Sequence, residues 1–207
     1  MVLNVSGGLF GGGGLFSESA SEGQQMVWDG QKWAPGDGGK TVYSETQNTT
    51  RAVADNSEGT QHWYNASNVT QDDNSFSTVR VDTAAETDAY DWQVKLMKAG
   101  SYAGMENKAS NDYMSILKHN RYYGDSGDVW GVAWTPADIN LSTFGIIYSG
   151  ENNVQTELLK CDQFDFTIPT QAKIVGILPR IVLKRWIGGG ETWIYVDYVE
   201  MTVYYTQ

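Results

Sequence analysis

Cysteine is nearly missing from this chain: Cys161 stands alone among 207 residues. A single thiol can build neither an intrachain disulfide framework nor a thiolate metal knuckle. With Leu159 and Phe164 close by, it is expected to be a small buried hydrophobe rather than a nucleophile. Bases are scarce as well. Lys and Arg number 14 against 25 acids, a formal charge of −11. Phosphate contacts need a basic face, and none is visible, so nucleic acid is excluded as a partner. Long apolar runs are also lacking. Met1 to Phe16 is interrupted by glycines and has no basic flank, so neither a signal peptide nor membrane insertion is expected. Runs of Ala, Leu, Glu and Lys are missing, which excludes a helical bundle. The two histidines, His62 and His119, lie in separate segments with no Ser or Cys pattern of a triad beside them. They are expected at aromatic-lined turns. No phosphate loop, dinucleotide fingerprint or zinc helix occurs. Enzymatic activity is therefore not expected, and no cofactor is called for.

What the chain does have is aromatic residues (8 Trp, 12 Tyr, 6 Phe) and 23 glycines, set in a Ser/Thr/Asn-rich background. These are the materials of strands and turns. Phe76 to Val81 alternates. Asp91 to Leu96 places Trp92, Val94 and Leu96 inward, with Gln93 and Lys95 outward. Leu158 to Ile168 sets Phe164, Phe166 and Ile168 on one face. Lys173 to Trp186 turns Ile177, Pro179, Ile181 and Leu183 one way, and Pro179, unable to donate to a ladder, calls for an edge or a bend. Gly188 to Gly190 makes a turn, and Thr192 to Thr206 is a last strand with Val199, Met201 and Val203 inward. The fold expected is all-β: a two-sheet β-sandwich with jelly-roll-like connections and an extended Gly-rich N-terminal arm.

The stretch Asp128 to Gly150, DVWGVAWTPADINLSTFGIIYSG, organises the rest. It reads as a strand with Val129, Gly131 and Ala133 opposite Trp130, Val132 and Trp134, then a short helical corner, then a strand from Phe144 to Tyr148. Thr135 suits the N-cap, Pro136 the first turn, and Asp138 lies within it.

Three regions are expected: residues 1–25 as an N-terminal docking arm, 26–57 as a hairpin and linker, and 58–207 as the sandwich. In the arm, Leu9-Phe10 and Leu15-Phe16 ride on a glycine tether, which suits a peptide that orders when its apolar pairs fill slots on a larger assembly. In the second region Asp29-Gly30 is a hairpin turn between Met26–Trp28 and Lys32-Trp33. Asp72, Asp73 and Asn74 could offer oxygens to Ca²⁺. Neighbouring carboxylates diverge along a strand, however, and no EF-hand spacing follows, so no metal site is expected. Five N-x-S/T sequons, at Asn4, Asn48, Asn65, Asn68 and Asn140, are the number an Asn/Thr-rich chain throws up by chance.

The segment QMVWDGQKWAPGD resembles the short units that link segments of bacteriophage fibre and other virion surface proteins. The blocks VWGVAWTPADINLSTFGI, FDFTIPTQAKIVGI and VDYVEMTVYY, with DWQVKLMKAGSYAGMENKAS, resemble a β-sandwich module of phage virion and tail-associated proteins. Here the IP-containing block follows the WG block, whereas in the module it precedes it. The resemblance implies a structural or adhesive role on the virion surface, as a short tail-fibre component or a capsid decoration (cement) protein. It also implies partners among other virion proteins, portal, tail or major capsid, and a homo-oligomer, in particular a trimer. It carries over no catalytic residues. Leu9, Phe10, Leu15 and Phe16 are the candidates for virion docking. A second role is host attachment through surface glycan, with Tyr122, Tyr123, Trp130 and Trp134 as candidates for stacking on sugar rings. Burial in the core is the competing fate of the two tryptophans.

Overall fold

Alternation in the sequence becomes alternation across two sheets. The computed structural model describes residues 2–4, 25–28, 33–35, 41–82, 88–152 and 154–207. Three short strands, β1 (Val2–Asn4), β2 (Gln25–Trp28) and β3 (Trp33–Pro35), form a sheet of their own, in which the β2–β3 register pairs the backbone of Trp28 with that of Trp33. The sandwich is built from β4 (Val42–Asn48), β5 (Arg51–Asp55), β6 (Ser77–Asp82), β7 (Tyr90–Lys98), β8 (Ser101–Tyr102), β9 (His119–Tyr122), β10 (Gly145–Glu151), β11 (Leu158–Asp162), β12 (Lys173–Gly188) and β13 (Glu191–Thr206). One sheet runs β5-β11-β10-β7-β8 and the other β4-β13-β12-β9, with β6 also on β13. β6 pairs with Thr192–Val196 and β4 with Glu200–Thr206 along the same edge. Apart from the β7–β8, β10–β11 and β12–β13 hairpins, each connection from β4 onward changes sheet, which is the winding a jelly-roll-like sandwich needs. The body thus starts at Val42 and not at residue 58. β4 and β5 are integral strands of opposite sheets, so residues 42–57 are not a linker.

The core lies between the sheets. Val94, Leu96, Ile146, Tyr148, Leu159 and Cys161 face it from one side, and Ile177, Ile181, Leu183, Ile194, Val196, Val199, Met201 and Val203 from the other. Each such side chain contributes about 1.5–3 kcal/mol by leaving water. The longest hairpin, β12–β13, turns at Gly189 and Gly190 with φ of 62° and 80°, the left-handed pair of a two-residue type I′ loop. Pro179 sits just past the end of β9, where its carbonyl accepts from Tyr123 N–H at 3.0 Å. On that same side its missing N–H forgoes a single return bond to Tyr123, just beyond the last paired residue of β9. The helical corner α1 (Pro136–Ile139) has a full capping box: Thr135 Oγ1 accepts from Asp138 N at 3.2 Å, and Asp138 Oδ2 accepts from Thr135 N at 2.9 Å.

Three further expectations need correction. Residues 129–134 form no strand. Trp130 and Gly131 take positive φ (56° and 63°), Asp128 Oδ1 accepts from Trp130 N, and Val132 N bonds back to Val129 O, so the segment is a turn. Trp92 points outward and Asp91 inward. A bulge in the β7–β10 pairing sets Gln93 opposite Ser149 and Asp91 opposite Gly150, and the skipped residue reverses the alternation. The strand expected to run to Ile168 ends at Asp162, because Gln163 and Asp165 take positive φ (58° and 54°). Phe164, Phe166 and Ile168 are nevertheless all buried, as the alternation required.

Candidate functional site

Tyr123, Trp130 and Trp134 are interior. Trp130 Nε1 donates to Ile177 O (3.0 Å), Trp134 Nε1 donates to Val129 O (3.0 Å), and the Trp134 ring meets Phe144 edge-on at 5.4 Å. No ring face of the three is free for a sugar. Tyr122, 40% exposed, is the only one of the four candidates on the surface. Leu9, Phe10, Leu15 and Phe16 lie outside the described residues.

Tyr123 belongs instead to a buried polar cluster that ties the sheets together. Asp91, from β7, forms an ion pair with Arg121 of β9 at 2.8 Å. It also accepts from Tyr123 OH (2.9 Å) and Tyr148 OH (3.2 Å). Burial, and then the charge of Asp91, push both phenols well above the ordinary tyrosine range, so they stay protonated donors. Arg121 Nη2 also donates to the carbonyls of Asp112 (2.6 Å) and Tyr113 (2.9 Å). With every contact turned inward, the cluster is a latch between layers and offers no edge to a substrate.

A second ionic cluster sits at a bulge in β13. There Asp197 is the residue skipped where Val182 faces Tyr198 and Leu183 faces Val196. The buried Asp197 pairs with Lys118, which also reaches Asp72 Oδ1 (2.7 Å) and Asn74 Oδ1 (3.1 Å). Burial raises the Asp197 carboxyl, while the bond to Lys118 lowers that of Asp72. Two of the three oxygen-bearing side chains considered for Ca²⁺ thus hold an ammonium, and the third, Asp73, accepts from Ser75 N at 2.8 Å. Among the described residues no group of three or more His, Cys, Asp or Glu is arranged to hold a metal ion. Nor is any described helix long and apolar enough to cross a membrane. His62 Nδ1 lies 2.7 Å from Glu157 Oε2, in the stretch between β5 and β6, and His119 Nδ1 lies 3.1 Å from Leu117 O; His119 opens strand β9 and is not at a turn. Cys161 is fully buried, and burial drives its thiol far above the ordinary range.

The outer face of the second sheet is different. Around the β12–β13 hairpin it carries aromatic rings drawn from four segments. Trp193 faces Trp186 across the two strands, Tyr195 faces Lys184, and Tyr64 joins through its bridge to Thr78 of β6. The Tyr64 and Trp193 centroids are 6.4 Å apart, and Phe76 meets Tyr195 edge-on at 5.5 Å. Lys184 Nζ lies 4.4 Å from the Phe76 ring and 5.3 Å from Tyr195. Tyr64 is 54% and Trp186 45% exposed, which is a large apolar exposure for side chains in a sheet. Polar groups fringe the rings: Arg80 pairs with Glu191 at 3.0 Å, and Trp193 Nε1 donates to Glu191 at 3.0 Å. Carried back along β13, the odd-numbered register that turns Val199, Met201 and Val203 inward would turn Trp193 and Tyr195 inward too; the bulge at Asp197 sends them outward, and neither it nor the partners supplied by residues 64, 76 and 186 could be read from local spacing.

Fold and surface thus define a two-sheet β-sandwich with an aromatic strip on one outer face. No protein-family model, curated protein or solved structure matches the chain.

Proposed function

We propose that this chain is a structural protein of a bacteriophage virion. Its N-terminal arm docks on the particle and its β-sandwich is displayed outward, as a short fibre or tail-fibre component. One observation carries the reading: the phrases that resemble the phage module fall on joints of the body. TPADI is the capped corner, FDFTIP supplies the buried Phe164, Phe166 and Ile168, and VDYVEMTVYY is half of the longest hairpin. The hairpin bearing WDGQKW supports it too, since β2 and β3 pair with β1 rather than with either sheet of the body, as a linking unit would. Exposed Tyr113, Ile116 and Leu117 support self-association, a trimer being the expected form.

The test is to replace Leu9, Phe10, Leu15 and Phe16 by Ser in the encoding phage and measure copies per purified particle. The variant protein folds normally and is missing from the virions if the reading is right. Normal occupancy overturns the docking role. Cryo-EM of wild-type particles separates a tail location from a capsid decoration.

A further inference from the structure

We propose that the outward strip of Tyr64, Trp193, Trp186, Tyr195, Phe76 and Lys184 binds an acidic oligosaccharide, its sugar rings stacking on the aromatics and a carboxylate meeting Lys184. The proposal goes beyond the virion reading and does not depend on it. Rings standing in a sheet are held by their neighbours, so they present fixed faces and lose little rotamer freedom when a ligand arrives. The face of each ring is electron-rich and attracts the polarised axial C–H bonds of a pyranose. Trp193 and Trp186 are a cross-strand pair, and Tyr64 continues the row 6.4 Å from Trp193. Adjacent strands lie about 4.8 Å apart, close to the pitch of successive sugars, so a chain laid across the strands meets one ring after another.

Charge chooses the kind of sugar. The protein carries −11 overall, yet the strip holds a cation, Lys184, that makes no ion pair among the described residues and rests only on the Phe76 and Tyr195 rings. The neighbouring Arg80 is already engaged by Glu191. Two residues along β12, about 7 Å, separate Lys184 from Trp186, within reach of a carboxylate on a sugar stacked at the tryptophan. An apolar protein partner would leave that ammonium buried without a counter-charge, whereas a uronate neutralises it.

The experiment titrates the full chain with short oligogalacturonates and with the same oligomers after carboxyl reduction, followed by tryptophan fluorescence and calorimetry. Wild type binds the acidic oligomer, more weakly at high salt. Trp186→Ala and Tyr64→Ala each weaken binding by about tenfold, the effect of one lost stacked ring. Lys184→Met lowers affinity for the acidic oligomer about threefold and removes its advantage over the reduced one. Met105→Ala, at an exposed position off the strip, binds as wild type. All of these side chains are at least partly exposed, so unchanged melting temperatures keep folding out of the comparison. The proposal is overturned if wild type binds neither oligomer, or if Trp186→Ala binds as wild type does. It is also overturned if sedimentation shows a self-association that Trp186→Ala abolishes, which would make the strip a contact between copies.

Discussion

Asp91 offers the sharpest test of how the two layers are held. Its carboxylate is fully buried and is shared by Arg121, Tyr123, Tyr148 and the backbone N–H of Ser110, so Asp91→Ala leaves a guanidinium, two hydroxyls and an amide N–H facing an apolar hole. Breaking a buried ion pair from one side costs about 3–5 kcal/mol, and each stranded hydroxyl adds about 1–3 kcal/mol before relaxation. Arg121 retains the carbonyls of Asp112 and Tyr113, which moderates its share. The expected loss is about 4 kcal/mol, or a melting temperature lower by roughly 10 °C for a body of this size. Asp91→Asn keeps the shape and an acceptor for one tyrosine, so it should lose about half as much, near 2 kcal/mol. Arg121→Met strands the carboxylate and should match the alanine variant. The double variant Asp91→Leu/Arg121→Met removes both charges and should recover much of the loss, because a buried pair is worth little against apolar groups of similar volume. Urea unfolding followed by tryptophan fluorescence at neutral pH measures all four, and Asp91→Leu alone closes the double-mutant cycle that isolates the pair. A cost below about 1 kcal/mol for Asp91→Ala, or additive effects in the double variant, would refute the latch.

Other outcomes follow from single contacts. Thr135→Ala removes the capping hydroxyl of α1 and should cost about 1–2 kcal/mol in the same unfolding assay. Gly59 has φ of 75°, and a Cβ there would stand 2.0 Å from Thr156 O. Gly59→Ala should therefore destabilise by more than about 3 kcal/mol, whereas Gly189→Asn, with open space and a φ that Asn tolerates, should stay within about 0.5 kcal/mol. The Lys160 ammonium bonded to Asp55 holds that carboxyl at about 2. A depressed carboxyl stabilises the fold above its unfolded value and loses that contribution as pH falls toward the folded one. Asp55→Asn should thus flatten part of the stability decline between about pH 4 and pH 2, by a few tenths of a kcal/mol for so exposed a pair. Acid titration of both proteins by circular dichroism checks it.

Much of this molecule is written locally. Val199, Met201 and Val203 alternate with Glu200 and Thr202, and period two admits a half-buried strand whatever lies beside it. Thr135, Pro136 and Asp138 satisfy one another within four residues, so the corner at α1 needs no distant partner to be recognised. The triple glycine was legible for the same reason, since the left-handed φ of Gly189 and Gly190 is a property of the turn itself. Where the outcome hung on register, the chain was silent. Trp130 and Trp134 fit a strand pattern, yet the carbonyl of Ile177 and the carboxylate of Asp128 drew the first into a turn. One bulge opposite Ser149 and Gly150 sent Trp92 out and Asp91 in, and only then could a carboxylate meet an arginine thirty residues later on the other sheet. The aromatic strip is the same lesson on the surface. Its rings come from residues 64, 76, 186, 193 and 195, and their meeting is decided by which strand pairs with which, a matter of long-range packing energy that local spacing does not encode.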